Sequence, residues 1–232
     1  MYLSAQSPRA GKMRLSVIIP VFNEKATIGE IVKKVKKIPV EKEIIVVDDG
    51  SNDGTQEVLR TIDGIKLIRH KKNYGKGQAV RTGITHATGD IVIFQDADLE
   101  YEPMDYLKIL APILQGKAQV VYGTRFNPEG KFIRASYIAN RILTSITNLL
   151  FNAHIQDMET CYKCMPLKIL KSLNLKSNRF EIEPEITAKL LRLGYKITEV
   201  PIKYTGRPVK LKKIKLIDGI KAILTLLKYR LL

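Results

Sequence analysis

The sequence of 232 residues predicts an α/β domain with a mostly parallel sheet and helices on both of its faces. Short apolar runs alternate with longer segments that repeat apolar residues at helical spacing, which is typical of such a sheet. Acidic residues directly follow two of the apolar runs, as Asp48-Asp49 and as Asp96-Ala97-Asp98. Because ligands of these sheets collect beyond the carboxyl ends of the strands, the acids predict one shared ligand site.

The first half of the chain supplies this alternation. Its first predicted helix places Ile28, Ile31 and Val35 on one face and lysines on the other. A cluster of Gly, Ser, Asn and Asp at residues 50–54 predicts a turn. Strands are predicted at 15–20, 43–47, 66–69, 91–94 and 120–123, and helices at 26–38, 55–61, 75–87 and 103–115.

The second half is richer in helix, and we expect it to supply the acceptor side of the site. Helices are predicted at 135–151, 166–173 and 183–193, then a strand at 196–200 and a basic helix at the C-terminus. The helix at 135–151 carries an apolar stripe, for which packing on the core is favoured over contact with lipid. The stripe consists of Ile138, Ile142, Ile146, Leu149 and Leu150.

The net charge of +16 points to nucleic acid or an anionic membrane surface as a partner. Residues 203–232 hold nine Lys or Arg against one acid, Asp218, and interleave them with Ile and Leu rather than with base-stacking aromatic residues. This pattern favours a helix on a membrane surface and disfavours nucleic acid. For the tail's apolar stripe, membrane or partner contact is favoured over the core. The stripe consists of Ile217, Ile220, Leu224, Leu227 and Leu231.

The remaining composition indicates a cytoplasmic protein. No run of eighteen apolar residues predicts a membrane span, and residues 1–13 read as a flexible lead-in without the apolar centre of a signal peptide. Cys161 and Cys164 have no second pair for zinc and no redox context, so reduced thiols are expected.

The chemistry of the strand ends indicates a metal and a nucleotide. Asp96 and Asp98 form an oxygen-rich pair that suits Mg²⁺ or Mn²⁺ carrying a diphosphate. Asp48 either braces its turn or contacts the ligand, and the sequence favours neither interpretation over the other. Gly75-Lys76-Gly77 lacks the spacing of a nucleotide-triphosphate loop and is interpreted as a helix start.

Together these segments resemble the inverting GT-A glycosyltransferases of family 2. The nearest likeness is to the dolichyl-phosphate mannosyltransferase-like, or polyprenyl-phosphate hexosyltransferase, branch. The resemblance runs from about residue 14 to the end, and the order and spacing of its motifs make it specific. It is carried by residues 17–24, 46–55, 96–100, 123–126, 157–163, 180–183 and 200–213.

The resemblance implies a Rossmann-like GT-A domain at 14–206, followed at 207–232 by a basic closing loop and an amphipathic C-terminal extension. It places the nucleotide-sugar at Pro20, Phe22, Glu24, Val47, Asp49, Asp96, Ala97, Asp98, Arg207 and Lys213. It implies Asp96, Asp98 and Glu100 as metal ligands, and Asp96, Asp98, Arg125 and Asp157 as catalytic residues. The acceptor phosphate would meet Arg125, Arg134 and Arg141.

Two positions depart from the family pattern, and one region has two interpretations. Phe22 stands where relatives often carry Tyr, so it can pack on the nucleotide but cannot donate a hydrogen bond. Glu100 stands where relatives often carry Gln, and it either strengthens metal binding or faces solvent. Glu181 and Glu183 form either a helix start with a favourable dipole or part of the active-site wall.

The implied reaction moves a hexose from a GDP- or UDP-linked sugar to a polyprenyl phosphate, with inversion and with Mg²⁺ or Mn²⁺. A phosphate monoester is already ionised near neutral pH, so this acceptor needs no general base. The expected partners are this donor, this acceptor and the membrane surface, with an integral membrane anchor subunit left open. The alternatives are a transferase acting on a glycan hydroxyl, and a tethered nucleotide-sugar binding subunit without turnover.

Overall fold

Seven strands form the central sheet, in the spatial order β3-β2-β1-β4-β7-β5-β8. The computed structural model describes residues 13–127, 130–208, 213 and 216–232. Most of the predicted lead-in and of the segment 209–215 therefore lies outside the described residues. The strands are β1 (Leu15–Val21), β2 (Lys42–Asp48), β3 (Lys66–Arg69), β4 (Ile91–Phe94), β5 (Val120–Thr124), β6 (Gly130–Lys131), β7 (Lys163–Pro166), β8 (Ile197–Pro201) and β9 (Tyr204–Thr205).

The mostly parallel sheet predicted from the sequence is confirmed. Strands β3, β2, β1 and β4 run parallel, and so do β5 and β8. Strand β7 lies between β4 and β5 and is antiparallel to both. It is short and begins with Lys163, which is fully buried, so its sequence gave no apolar run from which to predict it.

Helices cover both faces of the sheet, and each strand of the parallel half feeds the next helix. The helices are α1 (Ile28–Lys36), α2 (Thr55–Arg60), α3 (Lys76–His86), α4 (Tyr106–Leu114), α5 (Arg134–Phe151), α6 (Leu167–Ser172), α7 (Ile182–Arg192) and α8 (Leu216–Leu231), with a short 3₁₀ turn at Pro103–Asp105. The apolar face predicted for α1 is buried, as the spacing of Ile28, Ile31 and Val35 requires. All seven residues of β1 are buried as well, which is typical of a strand covered on both faces.

A second, two-stranded sheet pairs β6 with β9 beside the carboxyl ends of the main strands. An isolated bridge joins Tyr101 to Tyr204, and the Thr205 backbone N–H donates to the Glu100 carbonyl at 2.9 Å. These contacts hold the chain after β8 against the acidic loop after β4. The sequence did not predict this small sheet, because its strands are two residues long.

The C-terminal helix α8 packs on α7 and α5 through a narrow buried stripe of Asp218, Ala222, Leu226 and Tyr229. The other stripe, predicted to contact membrane or a partner, is exposed along its whole length. Its five residues are exposed by 39–86%: Ile217, Ile220, Leu224, Leu227 and Leu231. None of the described helices is long and apolar enough to cross a membrane.

Helix α5 corrects part of a prediction. Its apolar stripe was expected to pack on the core, yet Ile138, Ile142 and Leu149 are exposed by 49%, 53% and 84%. The other two residues of the stripe, Ile146 and Leu150, are half-buried and do pack against a small apolar cluster. The fully buried positions of α5 carry the small polar residues Thr144 and Thr147. Thr144 Oγ1 accepts a hydrogen bond of 3.1 Å from the Met158 backbone N–H, so polar contacts fix this face.

Candidate active site

A cavity of about 590 Å³ opens at the carboxyl ends of β1, β2 and β4, where the sequence placed the ligand site. Helix α5 contributes Ser136, Ala139 and Asn140 to one wall, so both halves of the chain build the cavity. Most of the residues proposed for the nucleotide-sugar and the metal line it. They are Pro20, Phe22, Glu24, Asp49, Asp96, Ala97, Asp98, Glu100, Arg207 and Lys213.

Asp96 is paired with a lysine that sequence reasoning did not assign to the site. Lys76 Nζ lies 2.7 Å from Asp96 Oδ1 and 3.0 Å from Glu183 Oε1. Burial alone would raise the pKa of Asp96, but the Lys76 charge brings it below its usual value. Burial would likewise lower the pKa of Lys76, but Asp96 and Glu183 raise it well above its usual value. The pair is therefore ionised around neutral pH.

Gly75 fixes the position of Lys76. It has φ +103°, and a Cβ atom there would lie 2.4 Å from the Asn178 carbonyl oxygen. Asp49 accepts the Gly75 N–H at 2.7 Å and the Tyr74 N–H at 3.0 Å from the other side. The predicted helix start at this glycine is confirmed, but the lysine after it points into the cavity.

Asp98 is less well compensated than Asp96. Burial, and then the neighbouring charges of Asp96 and Glu100, raise the pKa of Asp98 to about 7. Its nearest cation is the Arg207 guanidinium, with Nη2 at 3.4 Å. A cation brought to Asp98 would relieve this concentration of negative charge.

The two residues expected to close over the diphosphate are held across the cavity by an acid. Arg207 Nη1 lies 2.8 Å and Lys213 Nζ 2.7 Å from Glu24 Oε1. Lys213 also donates to the Phe22 carbonyl oxygen and lies 5.7 Å from the Phe22 ring centroid. The cations predicted for the diphosphate are thus already inside the cavity.

Glu100 lines the cavity and holds the loop that carries Arg207. Its Oε1 accepts the Arg207 backbone N–H and its Oε2 accepts the Tyr204 hydroxyl hydrogen, both at 2.8 Å. The side chain of Glu100 is 11% exposed, so the interpretation that it faces solvent is wrong. Its role as a metal ligand stays a prediction.

Arg125 and Asp157 form a buried pair. Arg125 Nε and Nη2 each lie 2.7 Å from an Asp157 oxygen, and the Arg125 backbone N–H donates to Oδ2 at 3.0 Å. Arg125 lines the cavity, whereas Asp157 is fully buried behind it. Asp157, predicted as catalytic, therefore positions Arg125 rather than touching a substrate.

Two other predicted residues lie apart from this cavity, and the side chain of a third is not described. Val47 is fully buried within β2, so its side chain contributes to the core rather than to the nucleotide site. Arg141 lines a second cavity that shares Arg125 with the first. The side chain of Arg134 lies outside what the structure describes.

The sequence allowed two interpretations each for Asp48 and Glu183, and the structure favours one of them in each case. Asp48 is fully buried, and its Oδ1 accepts the Ser51 N–H at 3.0 Å, which supports the turn-bracing interpretation. Glu183 lines the cavity, which supports the interpretation as active-site wall, and its Oε2 binds the fully buried Lys163. The lysine partner of Glu183 in β7 gave no sequence signal because that strand was not predicted.

Glu159 is a further cavity residue, expected from the sequence to lie near the acceptor but given no role there. Burial raises the pKa of Glu159 to about 7, while Lys163 acts in the opposite direction. Its Oε1 is buried without a hydrogen-bond partner among the described residues. A carboxyl group in this state can take up or release a proton near neutral pH.

The donor set fits a divalent cation held jointly with a substrate. Among the described residues there is no group of three or more His, Cys, Asp or Glu that could hold a metal by itself. Mg²⁺ commonly binds through one or two carboxylates together with substrate phosphates, and Asp96 and Asp98 supply those two. The raised pKa of Asp98 indicates that this carboxylate, unlike that of Asp96, is not fully compensated by the cations around it.

A family model described as glycosyl transferase family 2 matches residues 16–173. The chain belongs to this family. Over 238 residues it is 31% identical to the uncharacterized protein MJ1222 of Methanocaldococcus jannaschii, covering 98% of this chain and 97% of that one. The glycosyltransferase AglJ of Haloferax volcanii is 29% identical over 195 residues, covering 83% of this chain and 63% of AglJ.

A third relative is the undecaprenyl-phosphate 4-deoxy-4-formamido-L-arabinose transferase of Aeromonas hydrophila. It is 31% identical over 160 residues, which cover 65% of this chain and 47% of that protein. Among solved structures, glucosyl-3-phosphoglycerate synthase of Mycobacterium tuberculosis bound to UDP superposes with a TM-score of 0.75 at 22% identity, covering 94% of this chain and 80% of that one. The predicted GT-A fold is thereby confirmed.

The raised pKa of Asp98 predicts a pH-dependent stability. The folded state holds this proton more tightly than the unfolded chain, so ionising Asp98 lowers the free energy of unfolding as the pH rises from about 4 through 7. Asp98→Asn removes that penalty. Urea unfolding should be measured with a chelator present. The free energy of unfolding of the variant, relative to that of the wild type, should increase between pH 4.5 and 8 by on the order of 2 kcal/mol.

Asp63→Asn, at an exposed acid, is the control and should show no such trend. A difference between Asp98→Asn and the wild type that stays constant across the pH range would contradict the raised pKa.

Proposed function

We propose that the protein transfers a hexose from a GDP- or UDP-linked sugar to a polyprenyl phosphate with inversion, using Mg²⁺ or Mn²⁺. The observation that carries the proposal is the pair Asp96 and Asp98 in a cavity that also holds Arg207 and Lys213. Two acids for a metal and two cations for phosphate are what a nucleoside diphosphate leaving group requires.

The comparisons support both the nucleotide-sugar donor and the polyprenyl-phosphate acceptor of this proposal. The donor is supported by the M. tuberculosis enzyme, whose structures include complexes with Mn²⁺ and UDP-glucose. The acceptor is supported by the A. hydrophila relative, whose name states an undecaprenyl-phosphate substrate. We assign both to this chain on the strength of its shared family and its own cavity.

In the proposed mechanism Pro20 and Phe22 pack on the nucleoside, and Asp49 keeps the backbone after β3 in place beneath it. The acceptor phosphate oxygen attacks the anomeric carbon from the side opposite the diphosphate, so the configuration inverts. Arg207 and Lys213 exchange their contacts with Glu24 for the diphosphate and stabilise the charge that grows on it. A bound divalent metal on Asp96 and Asp98 would add to this neutralisation.

In the proposed mechanism Arg125 binds the phosphate of the acceptor. Arg125 is held rigidly by Asp157, and its Nη1 is the guanidinium nitrogen that Asp157 does not bind. A fixed guanidinium suits phosphate better than a mobile lysine because its geometry is set before binding. Since the phosphate is already ionised, no residue has to remove a proton from it.

A hydroxyl acceptor is the second candidate, and Glu159 favours it. Its pKa of about 7 and its buried oxygen without a partner among the described residues suit a general base, which a sugar or glycan hydroxyl would need. A role as a binding subunit without turnover is less well supported, because both acids of the expected metal site line the cavity.

Transfer should be tested with purified protein, Mn²⁺ or Mg²⁺, a panel of UDP- and GDP-sugars, and either farnesyl phosphate or farnesol as acceptor. We expect a glycosylated lipid and nucleotide release with the phosphate only, detected by mass spectrometry. EDTA and Asp98→Ala should each nearly abolish transfer, whereas Asp63→Ala should not. Full transfer in EDTA would contradict the metal, and transfer to farnesol alone would favour the hydroxyl reaction.

We also propose that the enzyme works as a peripheral protein at the cytoplasmic face of a membrane. The exposed apolar residues of α5 and α8 lie on two helices that pack together, and exposed Arg141, Lys221 and Lys228 lie on the same helices. Apolar residues beside basic ones fit an anionic bilayer surface. A lipid acceptor would reach the enzyme from that surface.

Ile220→Ser with Leu224→Ser should weaken sedimentation with anionic liposomes by roughly tenfold or more, because each buried aliphatic side chain contributes about 1.5–3 kcal/mol. Leu114→Ser is the matched control, since Leu114 is exposed by 53% on α4. Binding of the wild type should fall as salt rises. Equal binding of the double variant and the control variant would mean that α8 is not a membrane contact.

A further inference from the structure

A second cavity of about 610 Å³ lies beside Arg125, and neither the proposed metal nor the donor uses it. It shares the lining residue Arg125 with the active-site cavity, so the two cavities adjoin at that residue. Its walls combine three aromatic rings with a second arginine: Phe126, Phe132, Tyr137 and Arg141.

The rings form an ordered apolar wall. Phe126 and Phe132 stack with centroids 4.8 Å apart, and Tyr137 meets each of them edge-on at 5.1 and 5.5 Å. Arg141 lies 5.4 Å from the Phe126 centroid, and Arg125 lies 5.5 Å from that of Phe132. An apolar wall with a guanidinium on each side suits a ligand that joins an anion to a hydrocarbon.

The cavity also leads out to an apolar surface. Tyr137 is exposed by 43%, and the next residue, Ile138, is exposed by 49%. Ile142, one helical turn further along α5, is exposed by 53%. A hydrocarbon chain that starts near Arg125 would therefore stay in apolar contact as it leaves the cavity.

We propose that this aromatic cavity binds the first isoprene units of the lipid acceptor, with the phosphate end of the lipid at Arg125. The inference rests on the proposed function for the identity of the acceptor, but binding in the cavity does not require turnover. It adds a recognition element for the hydrocarbon to the arginines assigned to the phosphate.

The chain contains no tryptophan, which gives a direct test. Tyr137→Trp places a single reporter in the cavity wall, and Gln156→Trp places one at another lining position if the first variant folds poorly. Farnesyl phosphate should change the emission saturably. Farnesol should bind about tenfold more weakly, inorganic phosphate should have no effect at equal concentration, and Leu114→Trp should not respond.

Phe126→Leu in the reporter background keeps an apolar side chain and removes a ring, so affinity for farnesyl phosphate should fall about fivefold. Affinity for the nucleotide-sugar should stay unchanged. An equal response to inorganic phosphate would make the cavity an anion site only, and a response to the nucleotide-sugar alone would make it part of the donor site; either overturns the proposal.

The experiments distinguish a failure of the proposed transfer reaction from a failure of the proposed lipid-binding cavity. Binding of farnesyl phosphate at the reporter without any transfer would retain the cavity and reject the proposed reaction. Transfer to farnesyl phosphate with no response from either reporter would retain the reaction and reject the cavity as the isoprene site.

Discussion

Neutralisation of a buried cluster of carboxylates is the constraint on which the rest of this site depends. The side chains of Asp96 and Asp98 are only 22% and 13% exposed, and isolated charges that are so far removed from water are costly. Lys76 compensates Asp96, Arg207 approaches Asp98, and Lys213 joins Arg207 on Glu24. Lys76 begins α3, whereas Arg207 and Lys213 follow β9 in the sequence, so the charge balance of the site depends on distant parts of the chain.

This balance also explains how a diphosphate donor could be accommodated. The acids hold Arg207 and Lys213 in place before any ligand arrives, which reduces the cost of ordering two long side chains on binding. Asp98 keeps a raised pKa because its compensation is incomplete. A metal bound with the diphosphate would complete it, while the nucleotide phosphates would provide new partners for the two cations. Donor, metal and closing loop would then bind as one unit.

Much of the fold followed from the sequence, because strands buried on both faces produce uninterrupted apolar runs such as Ile91–Phe94. The strand-end acids were found for the same reason. Lys76 was missed because its motif marks a helix start and says nothing about where the side chain points. Strand β7 was missed because it begins with buried Lys163, whose charge is paired with Glu183, twenty residues away. Three residues of the α5 stripe were wrongly assigned to the core because periodicity identifies an apolar face but not what covers it.

The central claim, that Asp96 and Asp98 hold a metal with the donor diphosphate, is tested most directly by nucleotide binding without turnover. Titration calorimetry of UDP and of GDP should be carried out with Mn²⁺ and with EDTA, on the wild type and on Asp98→Ala. We predict that Mn²⁺ strengthens binding of one nucleotide to the wild type by at least about tenfold, or 1.4 kcal/mol. Asp98→Ala should lose that gain. Equal affinity with Mn²⁺ and with EDTA in the wild type would contradict the account.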